Sequence, residues 1–155
     1  MAVKKHGPLP SNHHVVRYVP WAKLRKDEHD GVIGILGEAF RQREDEKYLS
    51  VDWLEYPGEP DTRSREEMAL ASARRIRNSN LAVKPKSGFV IGEVGQIQAR
   101  CRELKQIKVF VTYEPSLSNQ AHAAVKKLPR EDMELQEDLA NGVWSELHLN
   151  THLPK

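Results

Sequence analysis

The chain has 155 residues, of which 39% are apolar and 30% charged, with a net charge of +2. That length suits one domain with a real core. No apolar run approaches the roughly 18–20 residues that span a bilayer, no apolar stretch follows Lys4 and Lys5 to make a secretory signal, and the single cysteine, Cys101, has no internal disulfide partner. Together these features predict a cytoplasmic protein with no membrane association.

The small net charge conceals a segregation. Residues 1–26 carry six Lys and Arg and no acid, whereas residues 27–60 carry ten acids and three bases. Residues 61–86 have seven bases against three acids, 87–128 six against three, and 129–155 two against six. Alternating blocks either pair across a fold or leave one basic face.

Residues 1–12, with Lys4, Lys5, Gly7, Pro8 and Pro10, read as a flexible basic arm, a solvated tail in the first place and otherwise an arm that touches phosphates and orders on binding. His13 to Val19 reads as a first strand, rich in β-branched residues and ended by Pro20. Lys26 to Gly31 is a turn signal, with Asp30-Gly31 suited to left-handed geometry. Val32 to Leu36 then forms a hairpin with the preceding run. Glu38 to Lys47 is polar apart from Ala39 and Phe40, a loop or one short helix. Tyr48 to Tyr56 fits either a strand, with Leu49, Val51 and Trp53 on one face, or a short helix capped by Ser50. The helix is preferred, because Trp53, Leu54 and Tyr56 would otherwise face opposite sides. Pro57, Gly58 and Pro60 end it.

Ser64 and Glu67 make a capping box for a helix over about residues 65–78. Arg74, Arg75 and Arg77 in its last turn suit the helix dipole, and Asn78, Ser79 and Asn80 stop it. Residues 87–113 form the central unit. Phe89 to Ile91 is a strand bounded by Gly88 and Gly92; Val94, Ile97, Cys101 and Leu104 are one helical stripe; Ile107 to Thr112 is a second strand. Cys101 on that stripe is expected to be a buried, inert thiol. Ala121 to Val125 is a short strand or a turn of helix. A last helix begins at Pro129 and runs through Met133, Leu139, Val143, Trp144 and Leu147. Residues 148–155 look frayed. The expected fold is α+β: one globular domain over residues 13–147, a mixed sheet of four or five strands and about three helices.

No stretch carries a motif of high specificity. Gly92-Glu-Val-Gly95 joins a strand to a helix, but lacks the glycine pattern or lysine of a nucleotide loop, and Glu93 repels phosphate. His122 follows a strand, where catalytic groups collect, with Asn119 or Ser118 near enough in sequence to orient it. Arg17, Ser50 and Glu55 or Glu134 form a set able to hold a dinucleotide such as NAD. His148 and His152 are four apart, yet no third ligand accompanies them, so no metal site is expected. No resident cofactor is indicated. The basic candidates are Arg17, Lys23, Arg25 and Lys26 with Tyr18 and Trp21 as stacking aromatics, and Arg74, Arg75 and Arg77. No complete helix-turn-helix, zinc-finger or RRM signature supports them.

Three functions follow, in order. The first is a small module that engages nucleic acid or a partner protein through its basic face. The second is a small enzyme acting on a nucleotide-like substrate, an NAD-handling transferase or a hydrolase, with His122, Asn119, Ser50 and Glu55 as catalytic candidates and Arg17 as a substrate contact. The third is a subunit of a larger assembly, a homo-oligomer or a hetero-complex, using Trp21, Trp53 or Trp144 as a hot spot.

Overall fold

The computed structural model describes residues 3–57, 63–79 and 81–155; Gly58, Pro60 and Asn80, expected to end two elements, lie outside them. In chain order the strands are β1 (His14–Pro20), β2 (Leu24–Lys26), β3 (Val32–Ile35), β4 (Leu49–Trp53), β5 (Ser87–Glu93), β6 (Phe110–Tyr113), β7 (His122–Lys126) and β8 (Glu146–Leu149). The helices are α1 (Arg65–Arg77), α2 (Val94–Lys105) and α3 (Met133–Gly142). Six strands form one sheet in the order β6-β7-β4-β1-β5-β8, and β2 and β3 form a separate hairpin. Every pairing is antiparallel. The class is α+β in a single small domain, with more strands than the four or five expected.

Alternation along β1 explains how the layers form. Val15 and Val19 face one side and Val16 and Tyr18 the other, and all four are buried. The first side, with Val51, Trp53, Val90 and Val125, packs against Val94, Ile97 and Cys101 of α2 and Leu135 and Leu139 of α3. The second side, with Phe89 and Ile91, packs against Ala69, Ala73 and Ile76 of α1. The helices therefore cover the sheet from both sides. Among the described residues no helix is long and apolar enough to cross a membrane.

The helical boundaries near strong local signals agree with the sequence. Ser64 accepts from the Glu67 backbone N–H, and the Glu67 side chain answers the Ser64 N–H, a complete capping box. The stripe of α2 is buried at Val94, Ile97 and Cys101, while Leu104 is 40% exposed. Burial pushes the Cys101 thiol up to about 11, with Asp132 and Asp138 adding to the effect, so the sulfur stays protonated and unreactive. Asp30 takes the left-handed conformation at φ 61° in the β2–β3 turn.

Four expectations change. Residues 49–53 are a strand, not a helix: Leu49, Val51 and Trp53 alternate with Ser50 and Asp52 across its two sides, and Leu54 and Tyr56, which favour the helical reading, lie beyond its end. The last helix starts at Met133, capped by the Asp132 side chain, and not at Pro129; it stops at Gly142, and Leu147 lies in β8 instead. Trp144, just past the helix, stacks on Phe40 with ring centres 4.8 Å apart. A methyl group on Gly92 would sit 2.9 Å from the Trp144 ring, so the glycine admits the indole rather than a ligand. Residues 3–12 do not form a free arm. His6 and Leu9 donate their N–H groups to the Tyr113 and Val111 carbonyls, Tyr113 donates to Gly7, and Leu9 is buried, so the segment covers the β6 edge. The tail is not frayed: β8 continues to Leu149, and the Arg77 guanidinium donates to Asn150, Leu153 and Pro154.

Candidate functional site

The sheet side that carries α1 is only partly covered, and a cavity of about 260 Å³ opens there beside the C-terminal end of the helix. Its walls come from β1, β4, β7, the turn after α1, and the loops holding Arg43 and Ser116 to Asn119. Antiparallel pairing places Asp52 directly opposite His122 and Ser50 opposite Ala124. Ser50, Asp52 and His122 therefore share one side, with His122 diagonal to Ser50. His122, Asn119 and Ser50, three of the four catalytic candidates, line this one cavity together.

Asp52 forms the floor. It is 1% exposed and accepts from Asn119 Nδ2 at 2.8 Å, Arg75 Nη2 at 2.7 Å and Nε at 3.2 Å, and the Ser72 hydroxyl. A buried carboxylate is tolerable only with this much pairing. Asn119 Oδ1 accepts from the Ala121 N–H, so both ends of its amide are engaged. Asn119 thus fixes the loop and does not orient His122.

The orienting group is the Glu114 carbonyl. His122 Nδ1 lies 2.8 Å from that oxygen. A carbonyl only accepts, so the proton resides on Nδ1 and the neutral ring presents its lone pair at Nε2. Nε2 has no hydrogen-bond partner among the described residues. Glu114 is itself held: its carboxylate meets His6 Nδ1 at 2.6 Å, Thr112 Oγ1 at 2.8 Å and Lys126 Nζ at 2.9 Å. Burial opposes its charge, but the Lys126, Thr112 and His6 contacts prevail and hold its carboxyl below the usual range.

Arg43 supplies a cation at the rim. Its ion pairs are long, 3.5 Å to Asp45 and 3.4 Å to Glu46, and its side chain is partly exposed. Ser118 and Ser50 add hydroxyl groups. Burial also marks Glu46 beneath this loop. Desolvation raises its pKa, but hydrogen bonds and charge from Arg17, with the Arg43 and Ser50 N–H groups, bring it down to about 2.

The other predicted site residues have different work. Arg17 borders the cavity, but its guanidinium is 3% exposed and fully engaged by the Glu46 carboxylate and the carbonyls of Ala39, Arg41 and Ser50. It pins the 37–46 loop to β1. Glu55 accepts from the His14 N–H at 2.7 Å and from His14 Nδ1, outside the cavity. Glu134 pairs with Lys105. The dinucleotide-holding set is therefore not assembled. Tyr18 is buried on Phe89, and its hydroxyl accepts from the Lys84 N–H. Trp21 carries Lys26 and Lys86 over its ring, at 4.4 and 5.2 Å from the centre. Arg74 donates to the Lys155 carbonyl, Arg75 to Asp52 and Arg77 to the C-terminal segment. The expected basic face is thus largely consumed by internal contacts. His148 bonds Glu146, and no group of three or more metal-ligating side chains occurs among the described residues.

Sequence reasoning missed Arg43 and the Glu114 carbonyl. Arg43 sat in a charge run with no periodicity, and a backbone acceptor leaves no trace in residue type. Compared with known proteins, the chain matches no family model, no curated protein and no solved structure.

Proposed function

We propose that this protein binds a small polar, anion-bearing molecule in the cavity beside α1, and that His122 Nε2 exchanges a proton with it. One observation carries the reading: Nδ1 is fixed on a carbonyl, which leaves Nε2 unpaired among the described residues on a side chain that lines the cavity together with Ser50, Ser118 and Arg43. This is the arrangement of a general base whose tautomer is set from behind. The partly exposed Arg43 suits a phosphate or carboxylate, since its own ion pairs are long enough to exchange. A cavity of about 260 Å³ fits a nucleobase or a phosphorylated sugar and is too small to enclose a dinucleotide.

The test is a titration with adenosine monophosphate and inorganic phosphate, followed by NMR of the backbone amides and the His122 ring. Shifts confined to His122, Ser50, Asn119 and Arg43, and lost in His122→Gln and Arg43→Gln, support the reading. Shifts that map elsewhere, or survive both substitutions, overturn it. Where turnover of a phosphate ester is observed, His122→Gln lowers kcat by roughly 10²- to 10⁴-fold.

A further inference from the structure

α1 packs over β1, β5 and the Asp52 end of β4, and leaves the β7–β6 part of the same sheet side, with the Tyr48 end of β4, without a helix. Pairing sets Phe110 opposite Lys126. The β4–β7 register, continued one step past Leu49↔Val125, sets Tyr48 on the other flank of Lys126. Lys126 Nζ indeed lies 5.6 Å from the Tyr48 ring centre. One row across three strands thus reads aromatic, lysine, aromatic. Adjacent strands lie about 4.8 Å apart, so the two rings are on the order of 10 Å from each other. Phe110 is 41% exposed, and Lys108 Nζ stands 5.4 Å from its ring centre. Tyr48 in turn lies 6.3 Å from the His122 ring, which carries the row to the edge of the cavity.

A single exposed Phe on an edge strand is ordinary. The charge around this one is less so. Between residues 107 and 127 there are three lysines and one acid, Glu114. That acid is buried, and His6, Thr112 and Lys126 already occupy it. The face therefore offers planar rings and ammonium groups with no exposed carboxylate from its own hairpin. Lys126 gives one proton to Glu114 and keeps two for another acceptor.

We propose that this open half of the sheet binds single-stranded nucleic acid, with bases stacked on Tyr48 and Phe110 and phosphates held by Lys108 and Lys126. Every base has a face for an aromatic ring, so the surface tolerates many sequences. A duplex hides those faces and keeps only the phosphate contacts. The surface does not depend on proton exchange at His122.

Fluorescence anisotropy with a labelled oligothymidylate of about a dozen nucleotides, in about 50 mM salt, tests it. Phe110→Ala and Tyr48→Leu each weaken binding roughly 5- to 100-fold. Lys108→Gln and Lys126→Gln each lower the salt slope by about 0.7. Tyr48→Leu keeps bulk at a half-buried position without the ring, so a folding defect does not mask the result. Phe110 lines no part of the cavity, so Phe110→Ala separates this surface from the His122 site. Absence of binding, affinity in both aromatic variants unchanged from the unsubstituted protein, or equally tight binding of a duplex or of polyglutamate overturns the proposal.

Discussion

The two sides of the six-stranded sheet differ in how they are finished. The side under α2 and α3 is closed by apolar contact, from Val15 and Trp53 to Leu135 and Trp144. The side under α1 is half closed, and its open half holds Asp52, Ser50, His122 and a cavity. Each side also contains one buried ion pair. Arg17–Glu46 is sealed, both side chains 3% exposed. Asp52–Arg75 borders the cavity, and Arg75 is 13% exposed. The contrast teaches that a small domain can hold a polar site on one side of a sheet when burial on the other supplies most of the stability.

The sealed pair provides the hardest test of that contrast. Arg17→Ala leaves Glu46 buried without its partner and costs roughly 3–5 kcal/mol in urea unfolding. The double variant Arg17→Met, Glu46→Leu recovers a large part of the loss, because both desolvation penalties vanish together. If the single variant is neutral, the sealed side is not rigid.

Acid probes the same pair. The Glu46 carboxyl is held at about 2 against an ordinary value of 4.5. A depressed carboxylate contributes stability above its unfolded value and loses it as pH falls through the folded one. About 3 kcal/mol should therefore disappear between about pH 4.5 and 2. Glu46→Gln should remove this part of the acid dependence, as read from unfolding free energies at a series of pH values.

On the open side, Arg75→Ala should cost less, roughly 2 kcal/mol, because Asp52 keeps its hydrogen bonds from Asn119 and Ser72. A larger loss than for Arg17→Ala would invert the comparison. Ser64→Ala removes the α1 cap and costs about 1 kcal/mol, measured by thermal unfolding. His122→Gln should change stability least, within about 0.5 kcal/mol, while abolishing the proton exchange proposed for the cavity. A marked destabilisation would make His122 a structural residue.

Much of the local structure was legible in the sequence. Ser64 and Glu67, the α2 stripe from Val94 to Cys101 and Asp30 each act within a few residues and appear as expected, whereas Leu104, the last member of that stripe, is exposed. Residues 49–53 do alternate, Leu49, Val51 and Trp53 against Ser50 and Asp52, but Leu54 and Tyr56 break the pattern just past the strand end, and where a strand stops is not written in its periodicity. The candidate site was legible only in part. His122, Asn119 and Ser50 were singled out separately, and their meeting depends on the β4–β7 register. Arg17 was expected to meet a ligand because a strand arginine looks free until its acceptors are known. Those acceptors lie 22 to 33 positions away.

By itself the sequence determined the starts of α1 and α2, the central strand and helix of residues 87–105, and the burial of Cys101, since each rests on patterns among near neighbours along the chain. Only the tertiary structure decided that β5 and β6 lie apart within one sheet, that Arg17 and Arg75 turn inward onto Glu46 and Asp52, and that His122 turns its Nδ1 to the Glu114 carbonyl. Those outcomes depend on which distant carbonyls and carboxylates come within hydrogen-bonding reach, a quantity that residue spacing does not contain.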